Sequence, residues 1–194
     1  MNAELRVGTL ADAAAIHALI AANVADGHLL PRSPEEIAMH ADRFIVAIAD
    51  GELIGCAELA PLSDQVAEVR SLVVSEKSRG RGTGAALVNA VAARGRALGF
   101  LTLSAFTHQP SHFVHLGFSI VPHAWVPEKI ARDCAGCALF RRCGQYAVSL
   151  ALRHGAGLRL VEVVAAPRIA AARRASVERL RLIEEGPARE RIPA

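Results

Sequence analysis

No uninterrupted apolar run in these 194 residues approaches the roughly 20 residues that cross a bilayer, although apolar types make up 52% of the chain. Much of that fraction is alanine. The opening residues, MNAELRVGTL, hold no basic stretch followed by an apolar one, so the sequence reads as lacking an export signal. Cysteine is scarce: four, unevenly placed, make no disulfide framework and fit a reduced, cytoplasmic protein. Charge of one sign is missing too. A net charge of +3, with arginines scattered or gathered near the end, argues against a nucleic-acid partner. Two phosphate-binding signatures are absent. There is no Gly-Lys-Ser/Thr tripeptide for a Walker loop, and no acidic residue between Lys77 and Glu128, where a dinucleotide-binding βαβ unit wants one. What is left is a chain long enough for one domain, or one domain with an appendage, and a sizeable core.

One stretch organises the rest: residues 69–87, VRSLVVSEKSRGRGTGAAL. Residues 69–74 are short and rich in β-branched types, as suits a strand buried in a sheet. Residues 75–78 form a polar turn. Arg79-Gly80-Arg81-Gly82-Thr83-Gly84 follows, and the run from Ala85 starts a helix. A glycine-rich turn between strand and helix aims several free backbone N–H groups at one point, and the helix dipole adds partial positive charge there. Glycine lets an anion approach with no Cβ in the way, and Arg79 and Arg81 add charged donors. The turn therefore suits a phosphate; a surface turn rich in Arg and Gly is the plainer alternative.

The remaining chain divides by its punctuation. Residues 4–7 read as a strand. Thr9-x-x-Asp12 resembles a capping box and opens a helix through Val24, with Ile16, Leu19, Ile20 and Val24 at helical spacing and Gly27 as its stop. Ser33-Pro34-Glu35-Glu36 is a stronger box and predicts a helix from Pro34 to about Arg43. Residues 44–49 and 52–59 are strands joined by Asp50-Gly51, a two-residue hairpin signal. Residues 67–74 form the strand before the glycine loop, and the helix after it runs to about Leu98, with Gly99 as its stop. Then come a strand over 100–106, a short helix over 110–116, a strand over 118–121 and a last strand over 146–150. These patterns alone place the chain in the α/β or α+β class with mixed strands.

The loop R-x-x-G-x-G resembles the acetyl-CoA pyrophosphate loop of the GNAT superfamily of N-acetyltransferases, whose signature is Gln/Arg-x-x-Gly-x-Gly/Ala. The element order β-α-α-β-β-β-α-β-α-β-β is similar to the GNAT fold. Four further pieces resemble one group within it, the short, single-domain N-acetylglutamate synthases of bacterial arginine biosynthesis. They are Leu29-Leu30-Pro31-Arg32-Ser33, Glu68-Val69-Arg70-Ser71-Leu72, Gln109-Pro110 with Leu116-Gly117-Phe118, and Pro127-Glu128-Lys129-Ile130 followed by Cys134-x-x-Cys137. The resemblance implies an α+β (three-layer α/β) acyltransferase fold over residues 1–152, with a mixed central sheet flanked by helices. It implies acetyl-CoA as co-substrate, no metal, and transfer of acetyl to the α-amine of L-glutamate. By the same likeness, Leu72, Val73 and Val74 at the strand end, the loop residues Arg79, Gly80, Arg81, Gly82, Thr83 and Gly84, and Phe113 would meet the cofactor.

The acceptor chemistry can be set against the residues. Glutamate brings two carboxylates and an amine, so its site wants two cations, ideally arginine forks. Arg32 stands in the linker before a helix; its alternative is a solvated loop charge. Arg70 lies inside an apolar strand, where it needs an anion; substrate carboxylate and Glu68, two residues back on the same face, are the two candidates. Lys129 is a third cation, with plain exposure as its alternative. Ser71 lies between Arg70 and the strand end and joins the substrate set. An ammonium has no lone pair, so attack on the thioester needs a base. Glu68, on the face of Arg70 and Leu72, fits that role directly or through a water, unless it is only a partner of Arg70. A distorted end of the strand over 72–74 would offer N–H donors to the oxyanion. Many superfamily members carry a tyrosine four residues before the glycine of the Gly-Phe pair, as acid for the thiolate; here that position is Phe113, with His112 and His115 nearby.

Cys134, Cys137 and Cys143 follow C-x2-C-x5-C, three legs of a metal site without a clear fourth; His123 or His154 could complete it, though neither has the spacing of a second pair, and the alternative is reduced thiols in a loop. Cys56 sits in a strand and reads as core. From Arg153 the character changes: residues 168–185 carry helical content with charges of both signs, which suits a solvated helix or a homodimer contact.

Overall fold

Apolar runs along 44–74, buried on both faces, build the middle of a seven-stranded mixed sheet. In the computed structural model, which describes residues 3–24 and 29–152, its strands are β1 (Glu4–Val7), β2 (Phe44–Ala49), β3 (Glu52–Pro61), β4 (Val66–Val74), β5 (Thr102–Thr107), β6 (Ser119–Val121) and β7 (Tyr146–Ala151), in the order β1-β2-β3-β4-β5-β7-β6. Gly27, and the expectations for residues 153–194, lie outside the described residues. Only β4 and β5 run parallel. Asp50 (φ 52°) and Gly51 (φ 81°) both take left-handed backbone, the geometry of a two-residue hairpin whose twist matches its strands.

Helices cover both faces. Helix α3 (Thr83–Ala97) packs Leu87, Val88, Val91 and Ala92 against Ala57, Leu59, Ala67 and Val69, together with Phe113 of α4 (Pro110–His115). Helices α1 (Ala13–Val24) and α2 (Pro34–Met39) pack Ile16, Ile20 and Ile37 against Phe44, Val46, Cys56 and Val73 on the other face. The capping box at Thr9 forms, with Asp12 Oδ2 accepting from Thr9 N and Oγ1 at 2.7 Å each, but it closes a short 3₁₀ turn before α1. At Ser33 the side-chain half of the box forms, Oγ accepting from Glu36 N at 3.1 Å, while the Glu36 carboxylate turns to Arg32. The helix expected to reach Arg43 stops at Met39: His40 (φ −121°) leaves helical geometry, its N–H shared between the Glu36 and Ile37 carbonyls, so that the chain can turn and bury Phe44. A short helix, α5 (Pro127–Lys129), continued by a wide π-helical turn (Ile130–Cys134), precedes the last strand and was not legible in the sequence.

Ser71 has φ 49° and forms a bulge: Cys56 pairs with Val73 and Glu58 with Arg70, so Ser71 and Leu72 together oppose Ala57. The extra residue inverts the alternation. Ala67 and Val69 face α3 before the bulge, and Leu72 and Val74 face it after. Leu72 therefore does not share a face with Glu68 and Arg70, as unbroken alternation had it.

Candidate active site

Strand β5 pairs with β4 only from Val66 to Glu68, opposite Thr102 to Ser104. Beyond Glu68 the two parallel strands no longer pair, and β5 continues to Thr107 bonded to β7 alone. A wedge therefore opens beside the Ser71 bulge, and β4 leads from it into the glycine loop. In that loop Gly80 (φ 74°) and Gly82 (φ 82°) hold left-handed backbone, and a Cβ on either would meet nothing within 4 Å. Glycine is thus required there by conformation, and the space over it is open to a ligand. Gly82 caps α3, so the N–H groups of Thr83, Gly84 and Ala85 are first-turn donors at the positive end of a 15-residue helix. Arg81 is exposed. Arg79 reaches back to the Val74 carbonyl (3.2 Å) and Asn23 Oδ1 of α1 (2.5 Å), tying the loop to its neighbours.

Phe113 is covered, its ring edge-on to Phe118 at 5.2 Å. The residue of α4 that faces the loop is His112: a Cβ at Gly84 would stand 3.7 Å from its Cε1 and Nε2 and 3.8 Å from Val74 Cγ2. Burial first, then His115, pushes the His112 pKa below the ordinary histidine range, so it is uncharged at neutral pH.

On the α1/α2 face, charged groups gather. Glu68, 3% exposed, accepts from Arg70 Nε at 2.6 Å and from Lys129 Nζ at 2.8 Å. Asp133 Oδ2 accepts from the same Lys129 (2.8 Å) and from Arg70 Nη2. Two cations and two carboxylates so close a ring between β4 and the segment after α5. Burial pushes the Asp133 carboxyl up, but the Lys129 hydrogen bond and the charges of Lys129, Arg70 and Arg132 outweigh it and hold it below its usual range. Across the bulge, Arg32 donates through Nε and Nη2 to Glu36 (2.9 Å each) and through Nη1 to Glu58 (2.8 Å) and Ser71 Oγ (3.2 Å). With 11% of its side chain exposed it is no solvated loop charge, and Lys129, at 14%, is no surface lysine. Cys56 props the bulge, its thiol donating to the Ser71 carbonyl at 3.6 Å; burial, then Glu58, pushes that thiol up to about 12. A cleft of about 200 Å³ lined by His17, Ala21, Val24, Pro31 and Arg32 opens on the α1 side.

A family model described as the acetyltransferase (GNAT) family matches residues 14–118, from α1 through the glycine loop to Phe118. The chain belongs to that family. The chain is 33% identical, over 74% of its length and 93% of the relative's, to an uncharacterised N-acetyltransferase of Chlorobaculum tepidum. It is 37% identical to an amino-acid acetyltransferase of Ralstonia nicotianae, over 59% of this chain and 26% of that one, so it spans about a quarter of that relative's length. Among solved structures, N-acetylglutamate synthase from Neisseria gonorrhoeae, complexed with coenzyme A and N-acetyl-glutamate, superposes with a TM-score of 0.71 at 25% identity, covering 79% of this GNAT chain and 36% of that one.

Two residues of the site escaped the sequence reading. Glu58 lies in an apolar strand at 2% exposure, the same signal that drew attention to Arg70, and pairs with Arg32. Asp133 gave no signal, because a charge in a loop is ordinary until its partners are known. Among the described residues, no group of three or more His, Cys, Asp or Glu is placed to hold a metal ion; Cys134, Cys137 and Cys143 are free thiols. No helix among the described residues is long and apolar enough to cross a membrane.

Proposed function

We propose that residues 1–152 transfer acetyl from acetyl-CoA to the α-amine of L-glutamate, giving N-acetyl-L-glutamate and CoA, with 153–194 an extension. The observation that carries the reading is Glu68: a buried carboxylate beside the wedge, bracketed by Arg70 and Lys129, with Arg32 across the bulge. The amino-acid acetyltransferase and N-acetylglutamate synthase among its relatives support it. The open glycine loop fits a pyrophosphate, which the N–H groups of residues 80–84 and Arg81 would hold. Arg32 and Ser71 take the α-carboxylate, and Arg70 with Lys129 the side-chain carboxylate. Glu68 takes a proton from the α-ammonium, directly or through a water. The backbone donors of Leu72, Val73 and Val74 steady the oxyanion as nitrogen bonds to the acetyl carbon. The C–S bond then breaks as the nitrogen gives up its second proton to solvent, and the leaving thiolate takes a proton from solvent, since Phe113 has none to give.

A second reading rests on the pairing of Arg32, Arg70 and Lys129 each with a protein carboxylate. A balanced site suits a zwitterion such as glutamine. Thiol release from acetyl-CoA across a panel of amino acids and amines tests both. Turnover highest with glutamate supports the proposal, and glutamine favours the second. No release with any amine tested, despite CoA binding, leaves a binding module and overturns both.

A further inference from the structure

Arg70 Nη2 and Lys129 Nζ converge on one oxygen, Asp133 Oδ2. Two cationic donors aimed at a single oxygen are the arrangement a carboxylate ligand would want. Their other partner, Glu68, is fixed in β4 and buried. Asp133 is 31% exposed and lies on the π-helical turn Ile130–Cys134, which buries no residue and is otherwise tied back to the sheet through Arg132 and the Pro61 carbonyl. Of the two anions on this cation pair, Asp133 is the exchangeable one. We propose that Arg70 and Lys129 form a carboxylate site that Asp133 fills in the free protein, and that Asp133 thereby sets how strongly the site prefers an acidic acceptor.

The placement suits a dicarboxylate amino acid. Glu58 pairs with Arg32 and is the register partner of Arg70, so the two cationic centres flank one residue pair across β3 and β4. An acceptor whose α-carboxylate lies on Arg32 can reach Arg70 and Lys129 with its side chain. A second carboxylate cannot join Asp133 there without like-charge repulsion, so the two exchange. Asp133 touches no reacting atom. It is a specificity-determining residue, acting on KM rather than on kcat, and it rests on the glutamate reading only for the identity of the natural acceptor.

The test titrates glutarate, which has both carboxylates and no amine, into the CoA-loaded parent and into Asp133→Asn and Asp133→Ala, two variants in case one folds poorly. Kinetics with L-glutamate and L-glutamine follow. Glutarate should bind the variants about tenfold tighter, with KM for glutamate falling alike, kcat within about twofold and KM for glutamine little changed. Adding Lys129→Gln to Asp133→Asn should erase the gain. Equal or weaker glutarate binding by folded variants overturns the proposal. If glutarate tightens but the parent ignores glutamate, the carboxylate site stands and the glutamate reading falls. If the parent acetylates glutamate and neither variant shifts KM or glutarate binding, the reverse holds.

Discussion

Glu68 Oε2 accepts a hydrogen bond from Arg70 Nε at 2.6 Å, two residues further along the same face of β4. The contact makes Arg70 a positioning group for Glu68 whatever else it binds, so the structural and catalytic roles that the sequence set against each other are compatible. With Lys129 on its other oxygen, the carboxylate has little freedom to turn. The role proposed for Glu68 would thus be played by a carboxylate held at fixed orientation beside the wedge.

Glu68→Gln keeps the shape and an acceptor for Arg70 but cannot take up a proton. Turnover should fall on the order of 100-fold near neutral pH and much less at high pH, where free amine is plentiful. CoA affinity should not move. Thiol release across pH measures this, and unchanged turnover near neutrality returns Glu68 to a purely structural role.

Why some of this was legible in the sequence and some was not comes down to range. The glycine loop, the caps at Thr9 and Ser33 and the Asp50-Gly51 hairpin are local: glycine, proline and short polar side chains act on backbone within a few residues. An arginine inside an apolar strand likewise announced that it needed an anion. The Ser71 bulge did not announce itself, because its left-handed backbone is supported by contacts from elsewhere, the Cys56 thiol and the Arg32 guanidinium. One unread residue then turned Leu72 to the wrong face. Asp133 and Glu58 were missed for the related reason that an ion pair across 63 or 26 residues leaves no spacing to read.

Gly82→Val should abolish CoA binding while leaving the fold largely intact. Nothing crowds the new Cβ, so the cost comes from left-handed backbone, about 1–2 kcal/mol for a non-glycine residue. The branched side chain would occupy the open space over the loop. Calorimetric titration of CoA checks this, and undiminished affinity in a folded variant sinks the assignment of the loop.

Asp12 joins the Thr9 cap to Arg6 of β1, and the Arg6 fork holds its carboxyl well below the usual carboxylate range. A depressed native value means stability that is present above the unfolded range, about 4, and lost as pH falls toward the native value. Asp12→Asn should cost about 1 kcal/mol at pH 7, the scale of a helix cap. The gap between parent and variant should narrow steadily below pH 4. Denaturant unfolding at several pH values tests this, and a gap that widens in acid contradicts it.

Arg70→Ala separates binding from support. Truncating one partner of a partly buried charged hydrogen bond costs about 2–5 kcal/mol, so kcat/KM for glutamate should fall roughly 30-fold or more, at about 1.4 kcal/mol per tenfold. Acetyl-CoA affinity should barely change, since the glycine loop lies beyond the end of β4 and the Ser71 bulge from Arg70. The loss has a second source, because Glu68 and Asp133 would then face each other with Lys129 alone between them, and the protein should be destabilised by about 2 kcal/mol or more. The double variant Arg70→Ala/Asp133→Asn distinguishes the two. Removing the surplus acid should restore much of the stability by denaturant unfolding. It should not restore kcat/KM for glutamate, because the fork that holds the carboxylate is still missing. If activity returns along with stability, Arg70 is support for Glu68 and nothing more, and its place in the acceptor site is lost.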